Sequence, residues 1–136
     1  MSSEITILTY AALLQVIQFA LMSITANLDV GPARTLSPRD PSRLGKPVNE
    51  LLSEKPGRLF RAFNNHFEAL IIFTIAVVVV TLGNQSSPVT VTCGWIYLGA
   101  RVLYIPAYYF GWTPWRSVIW FIGFGATVLM LLATLV

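Results

Sequence analysis

Four long apolar runs divide the chain: Ile5–Leu28, Leu59–Leu82, Val89–Gly111 and Trp115–Val136. Each approaches the roughly 20 residues a helix needs to cross the hydrocarbon core of a bilayer. Backbone polar groups in lipid must be satisfied inside the segment, so runs this long predict helices and not barrel strands. The first run is interrupted only by Gln15, Gln18 and small hydroxyl residues. The second has a polar first half and a purely aliphatic second half ending in Val77–Val80. Between these two lies a polar loop, Asp29–Arg58, containing Pro32, Pro38, Pro41, Pro47 and Pro56. Gly83–Pro88 and Gly111–Pro114 are tight turns, which makes spans two to four antiparallel neighbours. The expected fold is all-α, an integral membrane four-helix bundle, with residues 1–136 as one membrane domain.

Composition agrees with the pattern. Of the 136 residues, 55% are hydrophobic and only 11% charged, against roughly 25% charged in soluble proteins. Such a chain cannot cover its surface for water. The basic residues are placed unevenly. Arg34, Arg39, Arg43, Lys46, Lys55 and Arg58 lie in the long loop, while Arg61 and Arg116 flank spans on the same side. The positive-inside rule then puts the loop and the third turn in the cytoplasm and both termini opposite. The same loop could attract anionic lipid at about 1 kcal/mol per basic residue, but setting topology is the simpler role. Tyr108, Tyr109, Trp112 and Trp115 fit an aromatic belt at the cytoplasmic interface, and Trp95 and Tyr97 fit the other. The start has no basic region, so the first run reads as a retained helix and not a cleaved signal. Cys93 is the only cysteine and His66 the only histidine. No intrachain disulfide or metal-ligand spacing follows, and Cys93 reads as a small buried hydrophobe. Nothing calls for a nucleic-acid partner, and four spans without an inverted repeat give little support to a transporter.

The chemistry lies in polar positions inside the spans. A charge at that depth costs about 2.5–3.5 kcal/mol on insertion scales. Glu68 and Arg101 are therefore expected to pair, to line a polar cavity, or both. Arg61, Asn65 and Glu68 stand at i, i+4 and i+7 on one helical stripe of the second span. Arg101, Tyr104 and Tyr108 do the same at i, i+3 and i+7 in the third, where Pro106 is expected to introduce a kink. Arg116 and Ser117 open the fourth span, with Trp120 one turn on. All three stripes fall towards the cytoplasmic side. Adjacent helices would enclose a pocket there rich in Arg, Asn and Tyr, suited to an anionic, amide-bearing small molecule. Each residue also has a plainer reading. A Glu68–Arg101 pair can serve only to hold helices together. Asn65, Gln15 and Gln18 can be interhelical hydrogen bonders. His66 lies off the stripe among Phe63 and Phe67, as a satisfied or interfacial histidine. Arg116 can be a snorkelling anchor or an anion site at a helix start.

These residues carry a family resemblance. Arg61-Ala-Phe-Asn64-Asn65-His66-Phe67-Glu68 resembles the second-helix signature of the membrane-associated proteins in eicosanoid and glutathione metabolism (MAPEG). Gly99-Ala-Arg101-Val102 followed by Tyr108 resembles the third-helix pattern, and Arg116-Ser117-Val118 the fourth-helix motif. Gly31-Pro32 and Pro38-Arg39-Asp40 resemble the bacterial branch, which implies a bacterial inner membrane. The resemblance implies a homotrimer of four-helix bundles with glutathione, as co-substrate, held between subunits near the cytoplasmic face. By matching positions, Arg61, Asn65 and Glu68 would contact or frame glutathione, with Arg101, Tyr104 and Tyr108 in the same site. Arg116 and Ser117 would sit at the thiol as the catalytic pair, because the thiolate is the nucleophile.

Two functions stay open at this point. One is a membrane glutathione transferase or peroxidase acting on lipophilic electrophiles or lipid hydroperoxides. The other is a non-catalytic lipid-binding protein, or an accessory subunit of a larger membrane complex. Asn64, Tyr104 and Trp120 stand where some glutathione-binding members carry arginine, histidine and tyrosine, which supports the second, while the retained Arg116-Ser117, Tyr108 and second-helix stripe put the first ahead.

Overall fold

Local signals start and stop the helices close to where the apolar runs do. Ser2 caps the first helix, its hydroxyl oxygen accepting from the Ile5 amide at 3.3 Å. That helix, α1 (Ser3–Val30), ends at Gly31, whose φ of 100° suits glycine. The second long helix, α2 (Glu54–Leu82), begins after Ser53. The Ser53 amide and hydroxyl both donate to the Asp29 carboxylate, at 2.6 and 2.8 Å, which ties the end of α1 to the start of α2. Helix α3 (Pro88–Tyr109) opens with a reciprocal capping box between Ser87 and Thr90, with Pro88 in its first turn. It runs through Pro106 and continues to Tyr109. Helix α4 (Trp115–Ala133) follows Pro114 directly.

The computed structural model describes residues 1–36 and 46–136. Arg39, Arg43 and the Pro38-Arg39-Asp40 segment lie outside the described residues. Among the described residues there are no strands, and two one-turn helices, Pro32–Thr35 and Val48–Leu51, accompany the four long ones. All four long helices have the length and apolarity to cross a membrane. They pack as an all-α four-helix bundle. Helix α1 lies mainly against α2 and α3 against α4, while α2 and α3 each touch all three other long helices. The central pair is thus the one that carries the buried polar residues expected from the sequence.

The bundle has two unlike halves. Away from the basic end, Ile7, Ala11, Phe73, Ala76, Val77, Val80 and Met130 form a dry core. Small residues allow close approach there: a Cβ added at Gly94 would stand 2.8 Å from the Ile7 side chain. Tyr97 belongs to this core and not to an interfacial belt. It is 1% exposed and stacks on Phe73 with ring centroids 3.9 Å apart. It lies one helical turn before Arg101, on the same inward face of α3, which overrides the belt preference. Trp95 is exposed, as a belt residue should be, and touches Tyr10.

Both ends are clasped by polar contacts. At the basic end, Arg58 donates to the Tyr109 carbonyl at 3.1 Å and to Glu54 at 2.7 Å, joining α2 to the α3–α4 turn. At the other end Glu4 is wholly buried, and one carboxylate oxygen accepts from both Ser86 and Thr90 at 2.7 Å. Hydrogen bonds to a charged acceptor contribute about 1.5–3 kcal/mol each. Glu4→Ala should therefore lower the unfolding midpoint in mild detergent by several degrees, with Glu4→Gln in between. An unchanged midpoint in Glu4→Ala would show that the clasp contributes no stability.

Candidate functional site

Arg101 is the pivot of the polar half. It lies on α3 with 3% of its surface exposed, and its guanidinium carbon is 4.3 Å from the Tyr104 ring centroid. Tyr104 meets Tyr108 edge to face at 5.6 Å. Tyr108 lies near two further cations. Its hydroxyl accepts from Arg61 Nε at 3.1 Å, and the Arg116 guanidinium lies 4.7 Å from its ring centroid. Two tyrosines one turn apart on α3 thus thread three arginines from α2, α3 and α4 into one cluster. Cation–ring contacts are worth about 0.5–2 kcal/mol each and leave guanidinium donors available.

Two chambers adjoin the cluster. The outer one, about 160 Å³, is lined by Asn65, Tyr104, Arg116, Ser117, Trp120 and Phe121. The inner one, about 140 Å³, is lined by Asn65, Glu68, Tyr97, Arg101, Trp120 and Thr127, among others. Asn65 and Trp120 belong to both and form the wall between them. The outer chamber offers a cation and a hydroxyl at a helix start. The inner one offers one acid and one base beside the polar groups of Asn65, Tyr97 and Thr127, with apolar residues making up the rest. Together they can take an elongated molecule with an anionic or amide-rich part and a reactive group that a nearby cation would favour as an anion.

The residues expected from the sequence are distributed as follows. Asn65, Glu68 and Arg101 line the inner chamber, and Asn65, Tyr104, Arg116 and Ser117 the outer. Arg61 and Tyr108 line neither and form a bonded pair beside them. Glu68 and Arg101 share the chamber but form no ion pair, the one salt bridge among the described residues being Arg58–Glu54. Glu68 is exposed in the single chain while Arg101 is buried. The two helices present them to the same cavity from different depths. His66 is neither interfacial nor fully satisfied. It is completely buried, with Nδ1 on the Gln15 side-chain oxygen and Nε2 without a partner among the described residues. Gln15 is the interhelical bonder expected; Gln18 is buried and has no such partner.

Tyr97, Gly123 and Thr127 were not foreseen as chamber residues. Their signal was present, since Tyr97 extends the stripe of Arg101, Tyr104 and Tyr108 by one turn. Trp120, Gly123 and Thr127 make a matching i, i+3, i+7 stripe on α4. Gly123 lets α4 approach α3, because a Cβ there would already touch Ala100 at 3.4 Å. On the outer face of α3 and α4, Cys93, Ile96, Phe121 and Phe124 line a separate, almost purely apolar groove.

Four apolar helices thus enclose a cationic, tyrosine-lined pair of chambers in one half of a membrane-spanning bundle. A model of the MAPEG family matches residues 7–136, and the chain belongs to that family. It is an integral, multi-pass membrane protein. No curated protein and no solved structure matches the chain directly.

The absence of a Glu68–Arg101 ion pair has a measurable consequence. A double-mutant cycle with Glu68→Gln and Arg101→Gln, read by unfolding in detergent, should give a coupling below about 0.5 kcal/mol. A coupling well above that would mean the two charges meet directly.

Proposed function

We propose that this protein binds glutathione at the double chamber and activates its thiol against lipophilic partners dissolved in the bilayer. Membership of the MAPEG family supports a role of this kind in glutathione or lipid metabolism. The observation that carries the reading is the position of Arg116 and Ser117. They open α4 at the wall of the outer chamber, next to Tyr104 and one wall away from the Glu68 and Arg101 chamber. Arg61, Asn65, Glu68, Arg101, Tyr104 and Tyr108 would hold the carboxylates and amides of the tripeptide. Arg116 would lower the free energy of the thiolate by its charge, and the Ser117 hydroxyl would donate to sulfur.

The thiolate then attacks an electrophilic carbon, forming a C–S bond as the leaving group departs with its electron pair. With a lipid hydroperoxide, the thiolate sulfur attacks the terminal peroxide oxygen, the O–O bond breaks, and the lipid alkoxide leaves and takes up the proton that the thiol released, becoming the alcohol. A second glutathione displaces hydroxide from the resulting sulfenic acid, giving the disulfide and water. The apolar groove beside Cys93 and Phe124 suits a lipophilic partner arriving from the membrane.

The same reading includes a homotrimer in a bacterial inner membrane, with the basic end cytoplasmic and both termini outside. Glu68, exposed at span depth in the single chain and without an ion-pair partner, supports a neighbouring subunit at that face. A second reading, a non-catalytic lipid-binding or accessory subunit, draws on Trp120. Its side chain lines both chambers and stacks on Phe124 at 5.0 Å, making the wall more apolar.

Calorimetry of glutathione with purified protein, with thiolate followed by ultraviolet absorbance, separates the two. Saturable binding with a thiolate band is expected. Arg116→Ala should remove that band and lower turnover at least about tenfold, with protein level unchanged and the unfolding midpoint lowered only by the loss of one exposed cation–ring contact. Absence of binding at millimolar glutathione would favour the lipid-binding reading.

A further inference from the structure

The buried polar atoms left without partners are not scattered. Asn65 Oδ1, Tyr97 OH and Arg101 Nε are buried, lack a partner among the described residues, and belong to side chains lining the inner chamber. Behind them, towards α1, stand His66 Nε2, Gln15 Nε2 and both amide atoms of Gln18. Gln18 is 4% exposed and His66 fully buried.

Contacts along the helices fix their level. Glu4 meets Thr90, Ile7 lies against Gly94, and Tyr10 meets Trp95, so α1 and α3 run parallel. The same register brings Gln15 level with Arg101. Gln15 meets His66 and Phe19 meets Phe63, so α2 runs antiparallel to α1 and places His66 in that layer too. Gln18 follows one turn nearer the basic end.

The open groups are chemically complementary. With the Gln15 oxygen on Nδ1, the imidazole proton sits there and Nε2 is a bare acceptor. Arg101 Nε–H is a bare donor. An apolar occupant would leave both unpaired, whereas water accepts from one and donates to the other. The inner chamber, about 140 Å³, gives the Arg101 side of this layer room for water. We propose that Gln15, Gln18, His66 and Arg101 form a water-binding layer inside the bundle, in which ordered water joins Arg101 Nε to His66 Nε2. In the ligand-free protein His66 thereby holds Arg101 from behind.

His66 is the only histidine of the chain, so [15N]histidine labelling isolates its ring. The test is water-edited solid-state NMR on ligand-free protein in lipid bilayers. Without glutathione present, its outcome is independent of thiol binding. The expected result is an Nδ1-protonated ring that receives magnetisation from water. A ring receiving none would overturn the proposal. Gln18→Leu removes two polar atoms of the layer without altering His66 and should reduce the transfer severalfold. Tyr97→Phe, which keeps the Phe73 stack, should reduce it from the chamber side. Transfer unchanged in both variants would mean that water reaches His66 by another route, and would also overturn the assignment.

Discussion

A guanidinium in the interior of a membrane bundle cannot discard its proton to escape the low dielectric, so its surroundings must accommodate the charge. Arg101 imposes that constraint, and much of the polar half can be read as its consequence. Tyr104 offers a ring face at 4.3 Å. Asn65, Glu68, Tyr97 and Thr127 line the same chamber from α2, α3 and α4. Without these groups an apolar helix packed on α3 would leave the charge unsolvated. With them, the four helices close around it and keep a cavity open where a uniformly aliphatic core would have collapsed.

The other half of the bundle answers the opposite requirement. Where there is no charge to accommodate, Phe73 and Tyr97 stack and Ile7 packs against the backbone of Gly94, giving a tight, dry core. That half fixes the register of α1, α2 and α3, and the register brings Gln15, His66 and Arg101 to one level. Positioning of the polar cluster is thus a product of packing some turns away. The clasps at Glu4 and Asp29 set the two ends of α1 in the same way.

Much of this was legible in the sequence. Hydrophobic run length defines the four helices, because lipid leaves the backbone no other option, and the ends fall within a few residues of the structural bounds except at α2. There the helix begins at Glu54, ahead of the apolar run at Leu59, since Ser53 bonded to Asp29 starts it in the polar loop. The i, i+3, i+7 stripes bring Asn65, Glu68, Arg101 and Tyr104 to the chambers. Which partner each polar residue takes was not legible. Periodicity gives a face, but a hydrogen bond depends on the rotation and offset of two helices. Glu68 and Arg101 therefore share a cavity without bonding, and His66 turns inward to Gln15. Tyr97 was misassigned because aromatic-belt preference is a statistical tendency, whereas its place on the Arg101 stripe is a geometric necessity.

The cations also differ in depth, and the order has a chemical sense. Arg61 and Arg116 are exposed, beside Tyr108, whereas Arg101 is buried beyond the wall made by Asn65 and Trp120. Exposed cations draw an anion from water at little desolvation penalty, and a buried one interacts more strongly because the dielectric around it is low. A ligand entering past Arg116 would meet weakly held charge first and strongly held charge last. Arg116 is exposed and shares the outer chamber with the apolar residue Phe121, so this cation stands where the polar and apolar walls of the bundle meet.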